Sequence, residues 1–181
     1  MKSTLQKLAS ELNNHNILWG LGGSAMLYHY QITDVVNDID ILIDEQHAEE
    51  VESIISAISK KEEAIRKEPF ATKHFQKYNY EDTSIDIMGG FQIYHEQGLY
   101  TLGFDQASIT AIIVIDNIRV PFSSLEDWYI LYSLIPGKQY KADLIEDYWK
   151  ANSIQHPNLL KRALQKPLPG YVVNNLERLQ C

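Results

Sequence analysis

Apolar positions near the start of the chain switch between helical and extended spacing. Leu5, Leu8, Ala9 and Leu12 recur at the three- and four-residue intervals of one helix face. Ser3 and Gln6 form a candidate capping box at the start of that face. The polar run 13–16 ends the pattern, and 17–21, with Ile17, Leu18, Trp19 and Leu21, reads as a short buried strand. Gly22-Gly23-Ser24 leads into a short helix over 25–30. A polar connection then precedes a strand over 38–43. Asp44 is placed to cap a helix whose apolar stripe is Ala48, Val51, Ile54, Ile55 and Ile58.

The middle of the chain predicts strands. Segments 73–80 and 84–88 alternate in the two-residue period of a sheet and are joined by the turn residues Glu81, Asp82 and Thr83. A weaker strand covers 100–104. Segments 112–115 and 118–120 flank Asp116-Asn117, a favoured hairpin pair. From Ser123 the spacing is helical. Ser123 with Glu126 is a second candidate capping box, Pro136-Gly137 interrupts, and 141–152 resumes the helix. Pro157 suits the first turn of a further helix, and a last short one follows Pro169. The pattern predicts an α+β fold, with a mixed-sheet core over 1–122 and a helical region over 123–181.

Composition narrows the function classes. The 181 residues are 45% hydrophobic and 22% charged, ordinary for a globular protein. The longest clean apolar run, 109–115, is far short of the ~20 residues of a membrane span. The first ten residues lack the apolar stretch of a signal peptide, so a cytoplasmic protein without a membrane partner is expected. The one cysteine, Cys181, excludes an intrachain disulfide and a cysteine metal knuckle. A net charge of −8 argues against a nucleic-acid partner, because phosphate binding needs a basic surface.

The candidate chemistry lies in three carboxylates. Asp38 and Asp40 sit two apart in a strand, so both leave the same face with Cα atoms roughly 6.5 Å apart at ~3.3 Å per residue. Ile39, Ile41 and Ile43 take the other face. Asp86, between Ile85 and Ile87, repeats the arrangement on another strand. Crowded like charges raise one another's energy, and a hard divalent cation, Mg²⁺ or Mn²⁺, resolves the conflict while recruiting phosphates. Gly22 and Gly23 permit positive φ and close backbone approach, and amides at a helix start attract anions. Ser24 offers a hydroxyl, and the absent Gly-Lys-Ser/Thr excludes a Walker A loop.

The order strand, Gly22-Gly23-Ser24, short helix, loop, Asp38-x-Asp40, separate strand Asp86 resembles the polymerase-β-like nucleotidyltransferase superfamily. Within it, Asn37-Asp38-Ile39-Asp40-Ile41 is similar to the stretch of the small lincosamide and aminoglycoside nucleotidyltransferases. The resemblance covers roughly residues 15–90 and extends faintly into 120–127. It implies that Gly22, Gly23 and Ser24 hold the triphosphate of a nucleotide such as ATP, and that Asp38, Asp40 and Asp86 are the catalytic metal ligands. The activity implied is transfer of a nucleoside monophosphate to a hydroxyl on a small-molecule or protein acceptor. Relatives often carry a basic residue shortly before Asp-x-Asp, whereas Thr33-Asp34-Val35-Val36 has none. Lys138 and Lys141 are the replacement candidates.

Other features predict less. His15, His29, His47, His74, His95 and His156 have no zinc-site spacing. Trp128, Tyr129, Tyr132, Tyr148 and Trp149 read as core of the helical region. An acceptor is expected to be compact, neutral or cationic, between the sheet face of Asp86 and the helices bearing Trp128 and Tyr148. The alternative to an enzyme is a binding or regulatory protein, as in toxin–antitoxin pairs, that keeps the fold without catalysis.

Overall fold

A computed structural model describes residues 1–65 and 67–179. Helix α1 (Lys2–Asn14) leads into β1 (Trp19–Leu21), α2 (Gly23–His29), β2 (Ile39–Ile43) and, after one 3₁₀ turn, α3 (Ala48–Ser56). Strands β3 (Lys60–Glu62), β4 (His74–Tyr80) and β5 (Thr83–Gly89) come next. The hairpin β6 (Gln92–His95) and β7 (Gly98–Thr101) precedes β8 (Ile109–Ile115) and β9 (Ile118–Ser123). Four helices close the chain: α4 (Leu125–Leu134), α5 (Gln139–Asn152), α6 (Pro157–Leu164) and α7 (Gly170–Leu179).

Seven strands make one mixed sheet in the order β3-β4-β5-β2-β1-β9-β8, with β6-β7 apart. The pairs β2–β5 and β1–β9 are parallel, and the other pairs in the sheet are antiparallel. Register fixes which residues share a face. Tyr78, Ile85 and Ile39 lie side by side, as do Ile41 and Leu21, and all are buried. α3 reaches this face through Ser56 on Tyr78, and α1 through Thr4 on Thr83. The opposite face carries Lys77, Asp86 and Asp40 in one row.

Both predicted capping boxes are replaced by tertiary contacts. Ser3 donates to Glu81 and Gln6 to Asp116, so these side chains tie α1 to two sheet turns, and the helix starts at Lys2 without a side-chain cap. Ser123 instead ends β9. Its hydroxyl donates to the Leu21 carbonyl at 2.8 Å and accepts from Trp128 Nε1 at 2.8 Å. The cap shifts to Ser124, which accepts from the Asp127 amide. Glu126 is drawn away to accept from the His156 amide. Strand β3, three exposed charged residues, and β6 carry no alternation that marks them, and the strand expected over 100–104 ends at Thr101.

The ten residues of α4 are all buried, so this helix is the core of the C-terminal part. Asp127 is held there by a hydrogen-bonded ion pair to Arg162. Trp128 lies directly beneath the glycine turn: a Cβ on Gly22 would fall 2.1 Å from its Nε1. Gly22→Ala should therefore destabilise the protein by about 1–3 kcal/mol, the usual cost of overpacking. Urea denaturation measures this, and Gly22→Ala/Trp128→Phe should recover part of the loss.

Candidate active site

Parallel pairing of β2 with β5 sets Asp40 beside Asp86, and antiparallel pairing of β5 with β4 sets Asp86 beside Lys77. Asp38 precedes β2, and its carboxylate turns back to the same place. One oxygen from each of Asp38, Asp40 and Asp86 lies within 4.8 Å of the others. Among the described residues this is the one group of three acidic, histidine or cysteine side chains able to share an ion.

The glycine turn serves these acids directly. Gly22 donates its amide to the Asp40 carbonyl at 2.9 Å. Gly23 has φ +59, and a Cβ there would fall 1.8 Å from Asp40 Oδ2. Glycine is thus required at this position both by backbone conformation and by the room the carboxylate occupies. Ser24 is buried inside α2. Its hydroxyl donates to Asp38 Oδ1 at 3.4 Å and accepts from the Asn37 amide at 3.3 Å.

The acids open on a cavity of about 340 Å³. Lys138 and Lys141, expected from sequence, line it, as do Trp128 and Tyr132. Tyr148 does not: it packs edge-on to Tyr30 at 5.9 Å. Two residues that sequence reasoning did not place at the site stand out. Lys77 is 2.9 Å from Asp86 Oδ1 and sets a positive charge beside the acids. Tyr132 packs in the core as expected, and its buried hydroxyl has no hydrogen-bond partner.

No protein-family model matches the chain, and no curated protein does. Among solved structures, a candidate nucleotidyltransferase from Thermotoga maritima is 26% identical, with a TM-score of 0.60 over 82% of this chain and 92% of that one. The chain has a nucleotidyltransferase fold. The same architecture extends to ANT(2″)-Ia in complex with adenylyl-2″-tobramycin, at 14% identity and a TM-score of 0.57 over 83% of this chain and 90% of that one. It also extends to the lincosamide antibiotic adenylyltransferase LnuA, lincomycin-bound, at 17% identity and 0.51 over 82% and 98%.

In this nucleotidyltransferase fold the acids are electrostatically strained. Burial, followed by the charges of Asp38 and Asp86, pushes Asp40 up to about 8, with Lys141 and Lys77 opposing. Burial also raises Asp86, against the pull of Lys77. Lys77 is itself raised, because the hydrogen bond and charge of Asp86 outweigh burial. Its hydrogen bond goes to Oδ2 at 3.3 Å, and Asp86 Oδ1 stays buried with a charge nearby but no hydrogen bond. Across the cavity, burial and then Lys138 lower Lys141, whose Nζ stands 5.0 Å over the Tyr132 ring. Three converging carboxylates, with Asp40 and Asp86 both raised by burial, fit a divalent cation.

The strain has a measurable sign. Asp40 keeps its proton up to about pH 8 in the folded protein, whereas an unfolded aspartate ionises near ~3.9. The folded form then binds more protons between these values, so metal-free stability falls as pH rises through that window. Asp40→Asn should flatten the decline and exceed the parent protein in stability at pH 8 by at least about 1 kcal/mol, since a tenfold change in acidity is worth ~1.4 kcal/mol. Denaturation in chelator at pH 5 and pH 8 checks both statements.

Proposed function

We propose that this protein moves a nucleoside monophosphate from a nucleoside triphosphate to a hydroxyl of a small-molecule or protein acceptor, releasing pyrophosphate. The observation that carries the reading is the convergence of Asp38, Asp40 and Asp86 on a cavity that Lys138 and Lys141 also line. Neither lysine has a salt-bridge partner among the described residues, and Lys141 stands over the Tyr132 ring. The antibiotics bound by ANT(2″)-Ia and LnuA support a small-molecule acceptor.

Each residue has a distinct task. Asp38, Asp40 and Asp86 would hold Mg²⁺ or Mn²⁺, which neutralises phosphate charge and orients the triphosphate. Gly22 and Gly23 bring the backbone against the acids, and Ser24 fixes Asp38. Lys138 and Lys141 receive the β- and γ-phosphates. Tyr132 donates its free hydroxyl to a phosphate oxygen; burial, then Asp40 and Asp38, raise its pKa, so it remains a donor. The acceptor oxygen bonds to the α-phosphorus as the bond from that phosphorus to the bridging oxygen breaks. Pyrophosphate leaves, and the acceptor proton passes to Asp86, a carboxylate that lines the cavity.

Two outcomes follow. Titrating Mg²⁺ with ATP into the protein should give binding that each ligand strengthens for the other, and the Asp38→Asn/Asp40→Asn double variant should lose this mutual effect while still folding. An equal response in the variant would remove the site assignment. Tyr132→Phe should weaken Mg-ATP binding by on the order of 1.5–3 kcal/mol, the range for a hydrogen bond to a charged group. The same variant should melt no lower than the parent without ligand, because no protein partner is lost. Pyrophosphate release in the presence of an acceptor distinguishes transfer from binding alone.

A further inference from the structure

The cavity has a second half with different chemistry. Side chains on the site face repeat in rows set by strand register. Lys77, Asp86 and Asp40 make one row, and Phe75 with Met88 make the next. Phe70 and Phe91, edge to face with centroids 6.4 Å apart, extend that apolar wall, and Ile65 lies at it too. Phe70 is 40% exposed and Ile65 63%, and both line the same cavity. Among the described residues, no carboxylate besides Asp38, Asp40 and Asp86 lines the cavity, whereas Lys67, Lys138 and Lys141 do.

We propose that this wall is the acceptor subsite and that it takes a compound presenting a hydroxyl beside an apolar face, without multiple positive charges. The proposal rests on the nucleotidyl-transfer reading, in which Asp86 takes the acceptor proton. Met88 follows Asp86 by two residues on the same strand face, so a molecule resting on the Phe75–Met88 row brings its edge to Asp86. Lys138 and Lys141 come from the start of α5, whereas this row comes from β4 and β5. A polycation would meet three ammonium groups and only acids already committed to the phosphate chemistry, whereas an apolar face gains by leaving water there. The structure thus narrows the neutral or cationic acceptor expected from sequence. The competing occupant of an aromatic wall is the nucleobase.

Calorimetry of the full-length protein with hexyl β-D-glucoside, glucose and spermidine, and separately with Mg-ATP, tests the assignment. Hexyl glucoside should bind about tenfold or more tighter than glucose, and spermidine no tighter than glucose. Phe70→Ser and Ile65→Ser should each erase most of the hexyl advantage and leave Mg-ATP affinity unchanged, and Ile65→Ser, at the more exposed position, should also leave the melting temperature unchanged. Spermidine binding above hexyl glucoside would overturn the proposal, as would a hexyl advantage that survives both substitutions. A drop in Mg-ATP affinity in both variants would overturn it in favour of the base. If the glucoside pattern appears but wild type binds no Mg-ATP, the apolar subsite stands and the transfer reading falls.

Discussion

The parallel pairing of Ile39–Ile43 with Thr83–Gly89 forces Asp40 and Asp86 side by side on one sheet face, and much of the site is arranged around that crowding. The acids cannot all be ionised comfortably: Asp40 is driven up to about 8 by burial and its two neighbours. Several surrounding features relieve or preserve the arrangement. Lys77 stands beside Asp86 from the next strand, Ser24 holds Asp38, and Gly23 leaves the space that Asp40 Oδ2 fills. Gly22, on the other side of that turn, leaves room for Trp128 and so docks the helical region against the site. The two glycines therefore answer to two different neighbours. Phosphate approach is not needed to explain either.

Much of the architecture was legible because the apolar periods are clean. The α1 stripe, the isoleucines of β2 and the Asp116-Asn117 turn, with φ of 47 and 67, lie where the pattern puts them. The charged strand β3 was not, because it consists of Lys60, Lys61 and Glu62 and offers no hydrophobic alternation. The capping boxes failed for another reason. A serine and a glutamate or glutamine three apart are also free to reach across the fold, and here Glu81, Asp116, Leu21 and His156 supply competing partners.

The carboxylates were visible in sequence, but their compensating charge was hidden by one residue of turn length. Reading Glu81, Asp82 and Thr83 as the loop implies a register that sets Asp86 opposite Tyr78. The actual loop is the two-residue pair Glu81 and Asp82, both at positive φ, so Tyr80 pairs with Thr83 and Lys77 falls opposite Asp86. Two-residue loops with positive φ at both positions are the natural hairpin connection. A basic residue thus reaches Asp86 across the sheet rather than along the chain.

That register also couples chemistry to recognition. Because side chains alternate with a period of two, a one-residue slip of β5 would carry Asp86 and Met88 together to the opposite face. The slip is resisted from that opposite face, where Ile85 and Ile87 are buried and could not be exchanged for Ser84, Asp86 and Met88 without placing a carboxylate in the core. The apolar packing beneath α1 and α3 consequently holds both the acids and the Phe75–Met88 row in phase. In the proposed acceptor wall, Phe70 and Ile65 line the cavity but lie outside β4 and β5, so substitution there alters the wall without disturbing the strand pairing that assembles the acids.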